Sequence, residues 1–208
     1  MTFAVMSYET RSKVDAEMLK AYDASIDCLT GLGAKTVVKD IPKEWDGFNS
    51  QIVQTIISYE GYRNNKDILD NEDAVVDQWV KRRLIPGRHE FTDAIYQAVL
   101  EQRKADQAAF REEFSGIDAI LTPTTLTPAI PIGDADQLGS PARFTRAANS
   151  LGLCSLSVPN GFTQGGLPTS LMITCHGKQE MTALRIGKAY EAENSWKTRH
   201  PAGLDIQM

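Results

Sequence analysis

The chain has 208 residues, 42% hydrophobic and 24% charged, with 22 Lys and Arg against 27 Asp and Glu for a net charge of −5. That composition is ordinary for a globular protein, and a chain of this length buries roughly 70% of its unfolded surface. The acidic balance excludes an electrostatic grip on nucleic acid, and the one short basic cluster, Lys81, Arg82 and Arg83, reads as a solvated helix face.

Residues 2–6 (TFAVM) form a brief apolar run suited to a strand. A helix follows, with Asp15 in its first turn. Val14, Met18, Tyr22 and Ile26 recur at every fourth position, and Leu29 and Leu32 continue the stripe. Gly31 and Gly33 end it, and Val37 and Val38 begin a second strand at residues 36–39. Strand, helix, strand is the rhythm of an α/β layer protein.

From Trp45 to about Leu84 the pattern reads as one long polar helix with Ile52, Ile56 and Tyr59 as its buried edge, broken by Pro86 and Gly87. Phe91, Ile95 and Val99 open another long helix, which Phe110 and Phe114 carry to Gly116. Its opposite face is Gln, Arg, Lys, Asp and Glu, a solvated or partner-facing surface. Residues 118–121 make a short strand leading into Thr122-Pro123-Thr124-Thr125. Residues 123–141, rich in Pro, Gly and Asp, read as a long loop without its own helix or strand, a type that is usually functional or mobile. A short helix is expected over 142–151, then strands at 155–158 and 169–174 joined through Pro159-Asn160-Gly161 and Gln164-Gly165-Gly166. A last helix runs through Met181, Leu184, Ile186 and Tyr190, and residues 196–208 read as a loosely held tail.

Little in this series carries chemistry. There is no Gly-x-Ser-x-Gly elbow, no Gly-x-Gly-x-x-Gly or Walker-type loop, and no His-x-x-x-His or Cys-x-x-Cys spacing. His89, His176 and His200 stand singly, and the acidic run Asp70, Glu72, Asp73 and Asp77 reads as a solvated helix face. Cys28, Cys154 and Cys175 are far apart and odd in number, a poor disulfide framework that predicts a reducing, cytoplasmic setting. Neither a cofactor nor a metal is expected. No apolar stretch has the length of a membrane span, so no membrane association is expected.

The second half adds a stronger signal. Residues 110–123 (FREEFSGIDAILTP) resemble the helix-to-strand passage of the amidase-signature family. Phe144-Thr145-Arg146-Ala147-Ala148-Asn149-Ser150-Leu151-Gly152 resembles that family's "Phe-Thr … Asn … Gly" helix. Val158-Pro159-Asn160-Gly161-Phe162 with Gly166-Leu167-Pro168 is similar to its "Val-Pro-x-Gly-Phe … Gly-Leu-Pro" hairpin, and residues 184–191 to its closing "Leu … Ala-Tyr-Glu" helix. The first part fits as well, with its strand, long helix and Leu32-Gly33-Ala34 leading to a second strand and Pro42.

The resemblance implies an α/β fold, a mixed sheet flanked by helices like the C-terminal portion of the amidase-signature α/β/α fold, with residues 1–208 as one domain. It implies an enzyme that hydrolyses a carboxamide to a carboxylate plus ammonia or an amine through a Ser–cis-Ser–Lys triad. Here Lys is the ultimate base, the middle Ser relays a proton and the second Ser attacks, while backbone N–H groups of a Gly/Ser-rich loop hold the oxyanion. That loop is absent: the chain has no Ser-Ser pair, and its only Gly-Gly is Gly165-Gly166. The family's catalytic Lys falls upstream of residue 1. No residue is therefore assigned to catalysis, the chain alone is expected to be inactive, and a non-catalytic binding or assembly module is the alternative.

Thr124, Thr125, Phe144 and Thr145 are the candidates for a substrate pocket, because the loop after Leu121 leaves a strand end where ligand crevices form in open α/β sheets. The competing reading gives the threonines turn hydrogen bonds and Phe144 a core position. In the glutamine-using tRNA amidotransferase of the family, an acidic residue precedes the Phe-Thr pair by two positions. Ala142 stands there, which points to an uncharged or acidic amide rather than free glutamine. The expected partners are a small-molecule amide and a second copy of the chain, since half of a continuous sheet leaves an edge or apolar face uncovered.

Overall fold

The computed structural model describes residues 1–45, 51–135 and 143–199. Five strands, β1 (Thr2–Val5), β2 (Lys35–Val38), β3 (Ala119–Pro123), β4 (Cys154–Phe162) and β5 (Pro168–Cys175), form one sheet in the order β2-β1-β3-β5-β4. β1, β2 and β3 are parallel, with Val5 opposite both Val38 and Leu121, and β5 runs antiparallel to β3 and β4. The expected mixed sheet flanked by helices is the observed architecture.

Helices cover both faces. A short α1 (Tyr8–Arg11) precedes α2 (Ala16–Gly31), and Asp15 is the N-cap of α2 rather than a first-turn residue, its carboxylate accepting from the N–H groups of Glu17 and Met18. That satisfies donors a helix start otherwise leaves orphaned. α2 and α8 (Glu180–Ala192) bury Met18, Tyr22, Leu29, Ile186 and Tyr190 against Phe3, Leu121, Leu171 and Ile173. A buried polar chain crosses this layer: the Asn160 side chain donates to Ser25 Oγ at 3.1 Å, and Ser25 Oγ lies 3.2 Å from Tyr190 Oη. On the opposite face Phe110 and Phe114, at the end of α6 (Asp93–Glu113), pack with Ala4, Ile120, Ala147 and Leu151, the last two on α7 (Arg146–Leu151).

The long helix read over 45–84 is three shorter ones, α3 (Gln51–Asn64), α4 (Lys66–Leu69) and α5 (Gln78–Leu84), followed by a 3-10 turn, Ile85–Arg88. Asn65 stands at the N-cap position of α4, Asp77 caps α5, and Asn71 closes a turn by accepting from the Asp73 N–H. Short Asn and Asp side chains compete with the helix ladder for backbone groups, so the run breaks where they cluster. The buried edge of α3 is Thr55, Ser58 and Tyr62, not Ile52, Ile56 and Tyr59, which are half-buried. The reason is a backbone approach. Gly87 lies directly against the Ser58 carbonyl and beside Tyr62, so this side of α3 is the one turned inward.

β4 and β5 form the expected hairpin but are longer than read. Pro159-Asn160-Gly161 is a bulge inside β4, and Thr163 to Leu167 makes the turn, closed by the Thr163 N–H to the Leu167 carbonyl at 2.8 Å. The Thr124 N–H donates to the Ser170 carbonyl, so the Ser170 peptide faces β3 and its β4 partner Pro159 sits where no ladder bond to β5 is required. A proline is tolerated at such an edge position. Among the described residues the three cysteines are free thiols, and burial pushes the Cys175 thiol up to about 12, consistent with an inert core side chain. Of the tail expected from sequence, residues Trp196–Thr198 form a 3-10 turn with the Trp196 ring 6.2 Å from Phe162, and the Arg199 guanidinium lies 4.2 Å over the Phe162 ring.

Candidate functional site

β1 leads to β2 on one side, while β3 lies on the other, so the chain changes direction across the sheet between β1 and β3. Helices leaving neighbouring strands to opposite faces open a crevice at the carboxyl ends of those strands. A cavity of 570 Å³, counting its open mouth, occupies this place. Met6 follows β1, Lys39, Asp40 and Ile41 follow β2, and Ile120, Leu121 and Thr122 come from β3. Met172 and Thr174 of β5 extend its floor, and Arg143, Phe144 and Ala147 close it from above.

The polar groups around it are held by different partners. Asp40 Oδ1 accepts the Ser7 N–H at 3.0 Å, fixing the carboxylate against the start of α1. Lys39 Nζ is drawn away: it donates to the Glu113 carbonyl at 2.6 Å, lies 3.5 Å from the Glu113 carboxylate and sits 4.5 Å over the Phe114 ring. Behind the cavity, Tyr22 Oη accepts the Met6 N–H at 3.3 Å and donates to the Leu121 carbonyl at 3.1 Å, locking the ends of β1 and β3 together. Burial pushes the Tyr22 phenol up to about 12, so it remains a neutral donor across the physiological range.

Thr122 differs from its neighbours. It is buried, and its Oγ1 has no hydrogen-bond partner among the described residues. Thr174 Oγ1 pairs with Ser155 Oγ at 2.8 Å, and Thr124 Oγ1 with Ser157 Oγ at 2.9 Å. The β5 residue opposite Thr122 is Met172, whose thioether is at best a weak acceptor.

Of the four candidates from sequence, Phe144 is in the cavity wall. Thr124 is engaged with Ser157 and through its N–H with Ser170, and Thr125 Oγ1 donates to the Thr127 carbonyl at 2.8 Å, closing a local turn. Thr145 is the N-cap of α7, one residue beyond Phe144, and is not part of the wall. Sequence reading passed over Thr122, Asp40, Met6 and Met172. Thr122 stood within the strand-to-loop motif, and the two-residue period of a strand would have set it on the face of Ile120.

Two of the three histidines are described. His89 follows the 3-10 turn, and His176 Nε2 lies 3.2 Å from the Phe114 carbonyl. His200 and Ala142 fall outside the described residues. Among the described residues no group of three His, Cys, Asp or Glu could hold a metal, and no helix is long and apolar enough to cross a membrane.

Solved structures with the same fold include one described as an amidase, with a TM-score of 0.77 at 19% identity over 93% of this chain and 46% of that one. A 6-aminohexanoate cyclic dimer hydrolase complexed with substrate superposes with a TM-score of 0.78 at 18% identity, covering 96% of this chain and 46% of that one. At those identities the likeness establishes the fold. Among curated proteins, a glutamyl-tRNA(Gln) amidotransferase subunit of Geobacter metallireducens is 29% identical over 214 residues, 89% of this chain and 44% of that protein. Its counterpart in Syntrophus aciditrophicus is 29% identical over 90% of this chain and 44% of its own length. The chain thus spans a little under half the length of the curated relatives it matches. The Amidase family model matches residues 1–184, and the chain belongs to the amidase-signature family.

Proposed function

We propose that the complete protein hydrolyses the C–N bond of a carboxamide, releasing a carboxylate and ammonia or an amine. The cavity beside β1 and β3 supports this reading: it lies near the carboxyl ends of parallel strands, where ligand crevices form in open α/β sheets, in an amidase-family domain. The Ser–cis-Ser–Lys triad comes from polypeptide outside this chain, and this half contributes pocket wall. With Ala142 at the position that is acidic in the glutamine-using tRNA amidotransferase, the favoured substrate is an uncharged or acidic amide rather than free glutamine. Three free thiols favour a cytoplasmic setting.

Intact-mass spectrometry after treatment with a serine-directed fluorophosphonate tests the assignment. The chain is expected to keep its unmodified mass of 23.0 kDa. A single stoichiometric adduct would mean that it owns an activated serine and would overturn the external triad.

The absence of the Gly/Ser loop from the chain favours a second reading, a non-catalytic module that keeps the half-fold for binding or assembly. The coding frame upstream of residue 1 discriminates: the family's Lys and Gly/Ser loop encoded there support the enzyme, and their absence supports the module.

Self-association is part of the proposal. β2 is an edge strand with Val38 at 68% exposure and Val37 at 39%, and β4 is the other edge. Unpaired edges of this kind invite pairing with another chain. Sedimentation velocity is expected to show a dimer or larger species that grows with concentration, and a clean monomer at high concentration would remove this part of the proposal.

A further inference from the structure

We propose that the helical arm of residues 51–88 carries an interaction surface for a second copy of the chain, the acidic segment 66–77 of each copy lying on the basic segment 78–88 of the other. The arm stands outside both core layers: none of its residues packs with the cluster around Phe3 and Leu121 or with that around Phe110 and Phe114. It is fastened to α6 instead, where Tyr59 stacks on Tyr96 with ring centroids 4.0 Å apart and Tyr59 and Arg63 both donate to Asp93. Within the arm α4 and α5 pack on α3.

Residues 66–77 carry five carboxylates against one lysine, and residues 78–88 carry four cations and no carboxylate, net charges of −4 and +4. The two segments meet where Asp70 lies 3.6 Å from Arg88, the one ion pair between them among the described residues. Glu72, Asp73, Arg82 and Arg83 are exposed and form no ion pair among the described residues. Ile68, Val75 and Val80, on the same two segments, are exposed apolar side chains.

Either charge run by itself is a solvated face, and exposed ion pairs within one chain are worth little. Side by side, equal and opposite runs complement their own copy turned about a two-fold axis. An isologous interface sets the same patch on both subunits, so every contact is made twice. An unlike partner would have to bring a matching pattern of both signs. Opposed charges steer the encounter and fix the register, while Ile68, Val75 and Val80 supply apolar area to withdraw from water. The arm thus deepens the self-association proposed above, on which it rests, with a contact separate from the β2 and β4 edges.

The test is sedimentation velocity on the whole 208-residue chain at low salt, with charges reversed in pairs. Arg82→Glu with Arg83→Glu, or Glu72→Lys with Asp73→Lys, should each weaken association at least about tenfold, because like charges then face one another. All four substitutions in one chain, or an equimolar mixture of the two double variants, should restore association to within about threefold of the parent. The four side chains are exposed, so circular dichroism should match that of the parent. If one double variant fails to fold, the other and the salt dependence of the parent decide: from about 0.05 to about 0.5 M salt, association should weaken about tenfold.

Association unmoved by the reversals, or insensitive to salt, would overturn the arm contact and leave edge pairing standing. Loss without restoration in either combination would overturn the pairing of the two segments. A monomeric parent would remove both contacts and give the patch to solvent or to polypeptide outside this chain. None of these outcomes touches the fluorophosphonate and coding-frame tests of the amidase reading.

Discussion

Replacing Gly87 by alanine is expected to cost about 3 kcal/mol and to loosen the helical arm formed by α3, α5 and the turn after α5, a large value for one methyl group. A Cβ built at Gly87 would overlap the Ser58 carbonyl oxygen and lie 2.5 Å from its carbonyl carbon and 2.9 Å from Tyr62 Cβ. Two of those atoms are backbone and cannot rotate aside, so α3 itself must move. Moving it strains the bonds that close the arm: Ser58 Oγ to the Arg83 carbonyl at 2.7 Å and Arg63 to the Gly87 carbonyl at 3.3 Å. Urea unfolding should report the loss, and hydrogen exchange should locate it in residues 51–88, with the sheet still protected. Gly31→Ala is the control. Nothing lies within 4 Å of its Cβ, and it closes a helix, so the same methyl there should be neutral or stabilise by up to about 1 kcal/mol. A Gly87→Ala penalty no larger than that of Gly31→Ala would mean that the close approach is not a constraint.

Phe110→Ala is expected to cost about 3–5 kcal/mol, the range for emptying a buried aromatic site. Phe110 is 2% exposed and stacks on Phe114 with ring centroids 4.4 Å apart and planes within 15°. Trp45 meets it edge-on at 6.0 Å and His176 at 5.6 Å. Ala4 and Ala147, two members of the same cluster, carry only methyl groups and cannot reach into the space. Ala147 also belongs to the cavity wall, so the loss should propagate to the site: the NMR methyl signals of Met6 and Met172, in the same wall, should broaden or shift. Ile132→Ala, at 94% exposure, should change stability by no more than about 0.5 kcal/mol. A Phe110→Ala loss below about 2 kcal/mol would show that this layer relaxes around the gap rather than holding α7 in place.

These two positions also show how legible the chain was. Phe110 and Phe114 could be read because a helix repeats every 3.6 residues, so an apolar pair four apart at the end of a polar helix has to face a core. Gly87 could be read only as a helix breaker. Its role against Ser58 depends on two segments almost thirty residues apart in sequence, and no local pattern encodes that meeting. The same limit misplaced the buried edge of α3: hydropathy selects Ile52 and Ile56, whereas the close approach of Gly87 falls on the side of Ser58 and Tyr62.

The site divides along the same line. By itself the amino-acid sequence determined the strand-helix-strand opening, the β4–β5 hairpin, the ordered motifs of the amidase-signature family and the absence of its Gly/Ser loop, because each is written in residues close together along the chain. It brought attention to Phe144 through its motif. Only the tertiary structure decided that Thr124 is consumed by Ser157 and Thr125 by its own turn, while Thr122 keeps a buried hydroxyl free of any described partner. Whether a hydroxyl is satisfied depends on which residue stands across the strand from it. That neighbour is set by sheet order and register, which bring residues 6, 40, 122, 144 and 172 to one cavity although they are spread over most of the chain.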